Sequence, residues 1–337
     1  MTAAFIQLLR RTRIGKVFLD FPSARGLHTA PVPRVGGIAM FASVWVLSCF
    51  WIQRDLVAGI AGLSLLLLAI SLLDDLRPLS AVLRLLVHSA AAILVVLLWV
   101  QAFGLMPVRP NALMHWVTSP PGAFAIVLAI VWMTNLYNFM DGADGLAGGM
   151  SVIGFGSYAM VLAMLPDSGG SLGLLVTALT GAAAGFLVFN FPPAKVFMGD
   201  AGAIPLGFLA ITLGLYGSMR RFWPWWFAAL VFSPFIVDAT ITLLRRTLKG
   251  HKPWIAHRDN YYQRLILSGW SHRKTALVYY GVMLAVAGSA LIAMQSAHPH
   301  AILLLWVITY TLLLVLLEWR FYEKKNNKSK NNDREAT

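Results

Sequence analysis

The sequence predicts an all-α, polytopic integral membrane protein with about ten transmembrane helices. Of its 337 residues, 58% are hydrophobic and 12% are charged, whereas soluble domains carry roughly 25% charged residues. The mean hydropathy of +0.70 also excludes a disordered chain, which requires low hydrophobicity. A transmembrane β-barrel is excluded because runs such as 63–68 do not alternate apolar and polar side chains as barrel strands do.

Ten apolar runs account for the predicted helices, because a hydrocarbon core about 30 Å thick takes roughly 20 residues of helix. In chain order the runs are 37–53, 56–73, 81–103, 120–139, 149–165, 171–191, 201–219, 223–244, 275–295 and 300–319. The first run is short for a complete span. We expect all ten to be helical, since a helix satisfies its own backbone hydrogen bonds in lipid.

The loops between these runs differ strongly in charge. If both termini lie on one side, that side receives 23 of the 27 Lys and Arg residues and the other side receives 4. Cytoplasmic loops carry such an excess, so we expect cytoplasmic termini and attribute the net charge of +13 to topology rather than to nucleic acid binding. The chain then divides into a cytoplasmic segment over 1–36, a transmembrane domain over 37–319 and a disordered basic tail over 320–337.

Five aspartates lie at the predicted cytoplasmic ends of helices, in three separate loops: Asp74, Asp75, Asp141, Asp144 and Asp200. A carboxylate near the bilayer centre costs about 2.5 kcal/mol or more, so a collection of acids at one face requires a reason. Mg²⁺ prefers oxygen ligands and retains waters for substrate phosphates. The cluster therefore predicts a hard-cation site, and the alternative is that the acids only mark the membrane boundary.

The segment 135–149 places a polar side chain at every third position from Asn135 to Asp144. Each step of three rotates a side chain by about −60° around a straight helix, which would put these two residues on opposite faces. We therefore expect the helix to break, with Gly142 and Gly145 supplying the backbone freedom. A break would let the Asn and Asp side chains converge on a ligand. The alternative is a purely structural turn.

Two further predicted cytoplasmic loops carry polar groups. The loop 190–202 contains two prolines, the cation Lys195, and Asp200 directly before an apolar run, an arrangement suited to an irregular backbone and a metal ligand. The loop 245–274 is rich in basic and aromatic residues, with His257 and Arg258 in its centre. Arginine binds phosphates through a planar fork, so this loop suits an anionic, partly apolar substrate. Topological anchoring by the basic residues is the alternative.

Five motifs in order resemble the polyprenyl-phosphate N-acetylhexosamine-1-phosphate transferases, a group of the glycosyltransferase family 4 type. The motifs are DFPSARGLH at 20–28 with PRVGG at 33–37, DD at 74–75, the block 135–149, FMGDAG at 197–202 and HRDNYYQRL at 257–265. The YYQRL stretch is most similar to the transferases that initiate O-antigen-like glycans. The alternative branch, phospho-MurNAc-pentapeptide transferase of peptidoglycan synthesis, has consecutive histidines there.

The resemblance implies a reaction and its partners. A UDP-N-acetylhexosamine would donate its sugar 1-phosphate to undecaprenyl phosphate with release of UMP, at an active site on the cytoplasmic face of the bacterial inner membrane. The implied cofactor is Mg²⁺, with Mn²⁺ as a substitute, because a divalent cation neutralises phosphate charge. Membrane lipid and a second copy in a homodimer are the other implied partners. Neither the sugar nor the oligomeric state follows from the sequence.

The resemblance also implies residue roles. Four carboxylates would be catalytic: Asp74, Asp75, Asp141 and Asp200. Asp75 and Asp200 would in addition bind the metal. Contacts to the nucleotide or to phosphates are implied for Asn135, Asn138, Asp144, Lys195, His257, Arg258, Arg264 and His28. The cytoplasmic N-terminal segment carries the family motif in Asp20, Arg25, His28 and Pro33.

The opposing functional class is a membrane transporter. Carboxylates within spans, such as Asp238, also mark ion pathways. Transport sites lie near the middle of the bilayer, whereas the acidic cluster is predicted at one face. A structural scaffold would leave the cost of the cluster unexplained. The sequence pattern therefore favours the enzyme.

Overall fold

The computed structural model describes residues 1–21, 30–51, 55–104, 112–252, 255 and 257–335. In chain order its helices are α1 (Thr2–Arg11), α2 (Arg13–Val17), α3 (Gly36–Trp51), α4 (Leu56–Leu76), α5 (Ala81–Gly104), α6 (Ala112–Thr118), α7 (Pro120–Met140), α8 (Leu146–Ala163), α9 (Gly170–Asn190), α10 (Asp200–Met219), α11 (Trp225–Val231), α12 (Ser233–Leu248), α13 (Tyr261–Leu267), α14 (His272–Gln295) and α15 (Pro299–Glu335). Two short strands, β1 (Leu19–Asp20) and β2 (Val32–Pro33), pair antiparallel.

Every one of the ten predicted apolar runs falls on a helix. In the described part of the chain, eight helices are long and apolar enough to cross a membrane, namely α4, α5, α7, α8, α9, α10, α14 and α15. Helices α11 and α12 make a ninth candidate if they form one span, although the chain bends by 74° between them. The remaining run, 37–53, corresponds to the shorter apolar helix α3. The predicted all-α, polytopic membrane fold is confirmed.

Helix α10 forms the centre of the bundle. Of the residues in its most apolar 18-residue stretch, 89% are buried. The helix packs against α4, α7 and α3. Small residues permit this packing: a Cβ added to Gly37 would lie only 2.4 Å from the backbone nitrogen of Gly202. The first turns of α3 and α10 therefore meet backbone to backbone, which fixes the start of α10 at the end of the bundle that carries the acidic loops.

The N-terminal hairpin is joined to the loop before α10. Pairing of Leu19 with Pro33 sets the register of β1 and β2. The N–H of Phe197 donates to Pro33 O at 2.9 Å, and the N–H of Gly36 donates to Phe197 O at 3.0 Å. These hydrogen bonds bring two motifs that are more than 150 residues apart in the sequence into one backbone network.

Helix α15 differs from the predicted disordered tail at 320–337, because the helix continues to Glu335. The composition of this segment lacks the apolar residues that a buried helix needs. Once a transmembrane helix has formed, however, each further residue adds a hydrogen bond without a new nucleation cost. Glu, Lys and Arg are also good helix formers, which favours continuation beyond the apolar run.

The buried carboxylate of Asp238 on α12 holds the start of α13. It accepts hydrogen bonds from the N–H groups of Tyr261 at 2.7 Å and Tyr262 at 3.1 Å, and from the hydroxyl of Tyr279 at 2.5 Å. The first N–H groups of a helix have no partner within the helix. Asp238 is therefore an anchor for α13, and the transporter alternative loses its main support.

Candidate active site

A polar pocket of about 170 Å³ lies at the end of the bundle where the acidic loops meet. Its wall includes Asp141, Asp144 and Asp200, so carboxylates from the α7–α8 turn and from α10 face one space. A larger cavity of about 740 Å³ follows α9 elsewhere and is lined mostly by small apolar residues. The polar pocket is therefore the candidate site for charged substrates.

The predicted helix break places two of these aspartates. Helix α7 ends at Met140, and Asp141 is its C-cap residue. Helix α8 begins at Leu146 after Gly145, whose φ of +78° lies in the left-handed region that glycine adopts without steric cost. The turn between the helices therefore presents both Asp141 and Asp144 to the pocket.

Asp200 occupies the first turn of α10. Gly199 before it has a φ of +72°, which allows the chain to enter the helix at this angle. Free N–H groups and the helix dipole favour a negative charge at a helix N-terminus. This position keeps a carboxylate at the pocket although the rest of α10 is buried.

Arg34 joins two further carboxylates to the site. Its Nη2 lies 2.6 Å from Asp20 Oδ1, and its Nη1 lies 3.4 Å from Asp75 Oδ1. Asp20 and Arg34 both line the pocket, whereas the side chain of Asp75 is nearly buried behind them. Arg34 therefore supplies positive charge among acids that would otherwise repel one another.

Arg84 makes a comparable link for the other residue of the aspartate pair. Its Nη1 lies 3.0 Å from Asp74 Oδ2 and 3.8 Å from Asp200 Oδ2. Asp74 Oδ1 also accepts a hydrogen bond of 2.6 Å from the N–H of Leu79. Asp74 thus holds the loop between α4 and α5 in place. Arg84 links Asp74 to Asp200, which lines the pocket.

Asp144 ties the α7–α8 turn to two other elements. Its Oδ2 accepts a hydrogen bond of 3.0 Å from the N–H of Ala194, and its Oδ1 lies 3.3 Å from Nδ1 of His272. Asn190 accepts a 2.8 Å hydrogen bond from the N–H of Gly145. The turn is therefore held by the loop after α9 and by the first residue of α14.

Burial and the neighbouring charges raise the pKa of Asp141 well above its ordinary value. The largest cause is removal of the carboxyl group from bulk water, followed by the negative charge of Asp200. The positive charge of Arg34 opposes the shift. Because a cation would relieve this repulsion, the pocket is electrostatically suited to a cation or to a positively charged complex of metal and phosphate.

The chain is similar in sequence to known proteins. The profile of the glycosyl transferase family 4 matches residues 57–218, a region that includes both aspartates of the 74–75 pair, the α7–α8 turn and the start of α10. The undecaprenyl-phosphate alpha-N-acetylglucosaminyl 1-phosphate transferase of Escherichia coli (strain K12) is 25% identical over 341 residues, which cover 96% of this chain and 88% of the relative.

Two other relatives have related names. The decaprenyl-phosphate N-acetylglucosaminephosphotransferase of Mycobacterium tuberculosis (strain ATCC 25618 / H37Rv) is 28% identical over 301 residues, which cover 80% of this chain and 73% of the relative. A Bacillus subtilis (strain 168) protein named probable undecaprenyl-phosphate N-acetylglucosaminyl 1-phosphate transferase is 31% identical over 311 residues, which cover 89% of this chain and 84% of the relative. The chain belongs to the polyprenyl-phosphate N-acetylhexosamine-1-phosphate transferase family.

The pocket of this transferase has a donor set that suits Mg²⁺. Asp141 and Asp200 offer carboxylate oxygens, and the side chain of Asn138 hydrogen-bonds Asp200. Among the residues that the structure describes, no three acidic, His or Cys side chains form a complete metal cage. Mg²⁺ ordinarily takes one or two carboxylates and fills its shell with water and substrate phosphates. The residues present therefore fit this metal.

Several predicted substrate contacts of the transferase do not line the pocket. They are Asn135, Lys195, His257, Arg258 and Arg264, whereas His28 and Arg25 lie outside the described residues. Asn135 sits within intact α7, donates to Val131 O at 2.7 Å and hydrogen-bonds His88 instead. Because α7 stays helical through Met140, Asn135 keeps its place on the helix and its side chain does not reach the pocket.

Lys195 and His257 lie in different surroundings. The side chain of Lys195 is exposed to solvent. His257 lies beside the ring of Phe139, with 6.4 Å between ring centroids. Burial and the positive charges of Arg246 and Arg245 lower its pKa, against the opposing effect of Asp259. His257 therefore favours the neutral form in this structure.

Four residues of the pocket network were not predicted from the sequence: Arg34, Arg84, Gln263 and His272. Arg34 and Gln263 lie inside motifs that carry the family resemblance, and these motifs could have indicated the two residues. The spacing of the residues alone did not predict a role for either of them. Arg84 and His272 stand in the sequence only as basic residues near the ends of predicted helices. Their approach to Asp200 and Asp144 depends on tertiary packing.

Proposed function

We propose that the chain transfers N-acetylhexosamine 1-phosphate from a UDP-sugar to undecaprenyl phosphate, with release of UMP. The observation that carries the proposal is the meeting of Asp141, Asp144 and Asp200 from separate loops in one polar pocket at the end of an apolar bundle. Such a place gives a soluble nucleotide access from water and a lipid access from the membrane. The names of the relatives support the acceptor class and the transferred group.

In the net reaction, a phosphate oxygen of the lipid forms a bond to the phosphorus that carries the sugar. The bond from that phosphorus to the bridging oxygen breaks, and the electron pair leaves with UMP. Both reactants are anions, so catalysis consists mainly of positioning and of charge stabilisation. Mg²⁺ would supply positive charge to the phosphates when bound. We propose Asp200 and Asp141 as its ligands in place of the predicted pair of Asp200 and Asp75, because Asp75 does not line the pocket.

The protein's own residues supply the remaining functions. Arg34 and Arg84 favour the charged form of the aspartates and limit their mutual repulsion. The Asp75 carboxylate, with Asp74 behind it, is proposed to organise charge or accept a proton on the side of the lipid phosphate. Gln263 and His272 also line the pocket with hydrogen-bonding groups, where they can orient the donor.

We place the site at the cytoplasmic face of the bacterial inner membrane. The basis is the concentration of 23 of 27 basic residues on the side of both termini, which is typical of cytoplasmic loops. The product, a diphosphate-linked N-acetylhexosamine, would initiate O-antigen or another surface polysaccharide. The donor sugar is one of the UDP-N-acetylhexosamines, and its identity depends on pocket contacts of the size of one hydroxyl group.

The test is UMP release by the purified protein in detergent. We would supply undecaprenyl phosphate with a panel of UDP-N-acetylhexosamines, in Mg²⁺, in Mn²⁺ or with chelator. The proposal expects release that requires the lipid, the metal and at least one donor. A folded, monodisperse protein that releases no UMP with any donor would contradict it. Release with UDP-MurNAc-pentapeptide alone would instead assign the chain to the peptidoglycan branch.

A further inference from the structure

The part of α15 where its apolar run ends is bound to α13 by a cluster of polar contacts. None of the residues in the most apolar 18-residue stretch of α15 is buried against the described part of the protein. At Glu318 this changes: Oε2 lies 3.0 Å from Arg264 Nη2, and Oε1 accepts a 2.9 Å hydrogen bond from the hydroxyl of Tyr261. Arg245 of α12 also reaches Oε1, at 2.5 Å. One carboxylate therefore joins α12, α13 and α15.

The residues that follow Glu318 continue the contact. The ring of Phe321 lies 4.0 Å from the guanidinium carbon of Arg264, within the range of a cation–π interaction. Arg320 lies over Trp270 at 5.2 Å, and Lys324 donates to Ser268 O. Glu318, Arg320, Phe321 and Lys324 therefore contact α13 or the turn that follows α13.

Helix α13 in turn supports the active-site turn. Its Gln263 lines the pocket, and the hydroxyl of Tyr262 donates to Phe139 O at 2.9 Å. Asn260, the N-cap of α13, hydrogen-bonds the sulfur of Met140 at 3.3 Å. A Cβ added to Gly142 would lie 2.1 Å from the Tyr262 hydroxyl oxygen. α13 is therefore packed directly against the turn that presents Asp141.

The cluster at Glu318 depends on its single negative charge. The side chains of Arg245 and Arg264 are 20% and 19% exposed, respectively, so neither guanidinium group is fully hydrated. Removal of a counter-charge leaves partly buried charges that the structure must accommodate by movement. A helix of seven residues is too short to be stable without tertiary contacts. The position of α13 therefore depends on its contacts with neighbouring helices.

We infer that Glu318 is a positioning residue, which acts through α13 to hold Gln263 and the Asp141 turn in place for phosphoryl transfer. This inference rests on the proposed function. It gives the end of the last membrane helix a part in catalysis although no described residue of α15 lines the pocket. Misplacement of catalytic groups by about 1 Å can cost roughly 100-fold in rate, so small movements of α13 are sufficient for an effect.

The test compares Glu318→Gln with Glu323→Gln, a matched change at an exposed glutamate of the same helix. We expect Glu318→Gln to lower kcat by at least ~10-fold with a smaller change in KM for the UDP-sugar, and Glu323→Gln to leave both unchanged. Amide hydrogen exchange over 259–267 should be faster only in Glu318→Gln. Wild-type kcat and wild-type exchange in folded Glu318→Gln would overturn the inference.

A double-mutant cycle adds a readout that general destabilisation would not reproduce. Because Glu318 and Arg264 act as one unit, the kcat of the double variant Glu318→Gln/Arg264→Gln should equal that of the more damaged single variant. Multiplicative losses would count against the inference. If Glu318→Gln does not fold, Glu318→Asp decides: slower turnover with faster exchange over 259–267 supports the inference, and wild-type values of both overturn it.

The two proposals fail in different ways. Absence of lipid-dependent UMP release from the wild-type protein would reject the proposed function. The exchange comparison between Glu318→Gln and Glu323→Gln needs no substrate, and it still reports whether Glu318 holds α13. Normal wild-type release together with unchanged exchange and kcat in Glu318→Gln would reject only the positioning role.

Discussion

Arg34 forms an ion pair with Asp75, whose side chain is only 5% exposed. The contact joins the residue that follows β2 to the end of α4, and Asp20 binds the same guanidinium group. Since Asp200 also interacts electrostatically with Arg34, a single arginine offsets the repulsion among carboxylates of three elements. The N-terminal hairpin is thereby part of the site rather than a lead-in to the first span.

The first prediction concerns this arginine. Arg34→Ala should lower the rate of UMP release by roughly 100-fold, because it removes a preorganised positive charge at the reacting phosphates. Arg34→Lys should be intermediate, since an ammonium group lacks the planar fork that binds two carboxylates. The rate assay with purified variants measures both. Arg77→Ala, at an exposed arginine at the end of α4, is the control, and an Arg34→Ala protein with wild-type rate contradicts the assignment.

The second prediction tests the metal. Asp200→Asn should lower turnover by roughly 1,000-fold, the scale of losing a central electrostatic group, and should raise the Mg²⁺ concentration needed for half-maximal activity. The measurement is a Mg²⁺ titration of UMP release. Asp167→Asn, at an exposed aspartate near the other end of α8, should retain wild-type behaviour. Near-normal turnover of folded Asp200→Asn would remove Asp200 from the metal site.

The third prediction separates an anchor from an ion pathway. Asp238→Ala leaves the N–H groups of Tyr261 and Tyr262 without their acceptor, and each unsatisfied buried group costs about 1–3 kcal/mol. The variant should therefore unfold at a clearly lower temperature in detergent. Thr242→Val removes only a 3.4 Å contact to Asp238 and should have a small effect. Equal melting temperatures of Asp238→Ala and the wild type would show that the anchor is unimportant.

The fourth prediction concerns pH. Burial and neighbouring arginines lower the pKa of His257 below its ordinary value of 6.5, so the folded protein binds this proton less readily than the unfolded chain. Stability should consequently fall as the pH drops below about 6.5. In His257→Gln the melting temperature should decrease less between pH 7.5 and pH 5.5 than in the wild type. His298→Gln, at an exposed histidine, should not change the pH dependence, and an unchanged slope in His257→Gln would contradict the assignment.

The extent to which sequence predicts this protein differs between backbone and side chains. The ten apolar runs predict helices because the membrane leaves few other structures for the backbone. The break after Met140 follows from Gly142 and Gly145, which permit a turn where polar residues accumulate. These are local or solvent-imposed properties, and they can be recognised without knowledge of neighbouring elements.

The site itself is predictable only in part. A meeting of Asp141, Asp144 and Asp200 follows from their position at helix ends on one face, where several carboxylates repel one another unless they share a cation. Arg84 and His272 could not be placed, because a basic residue near the membrane is first assigned to topology. Its ion-pair partner depends on the packing of α5 and α14 against α4 and α8, which no sequence pattern encodes locally.

Asn260, within the motif at 257–265, has a structural role. In the structure Asn260 caps α13 and forms a capping box with Gln263. Ser, Thr, Asp and Asn are the preferred residues at such a position, so the asparagine keeps the local helix start intact.

The central place of α10 also has a consequence for biogenesis. Three of the helices against which it packs, α3, α4 and α7, precede it in the chain and are already synthesised when α10 enters the membrane, whereas α11 follows it. Insertion of α10 brings Asp200 to the acids and lets the 197–198 backbone pair with the N-terminal hairpin. Gln263 and His272 arrive later. A ribosome-bound chain that ends shortly after α10 should therefore hold the aspartates of the pocket and lack the two residues proposed to orient the donor.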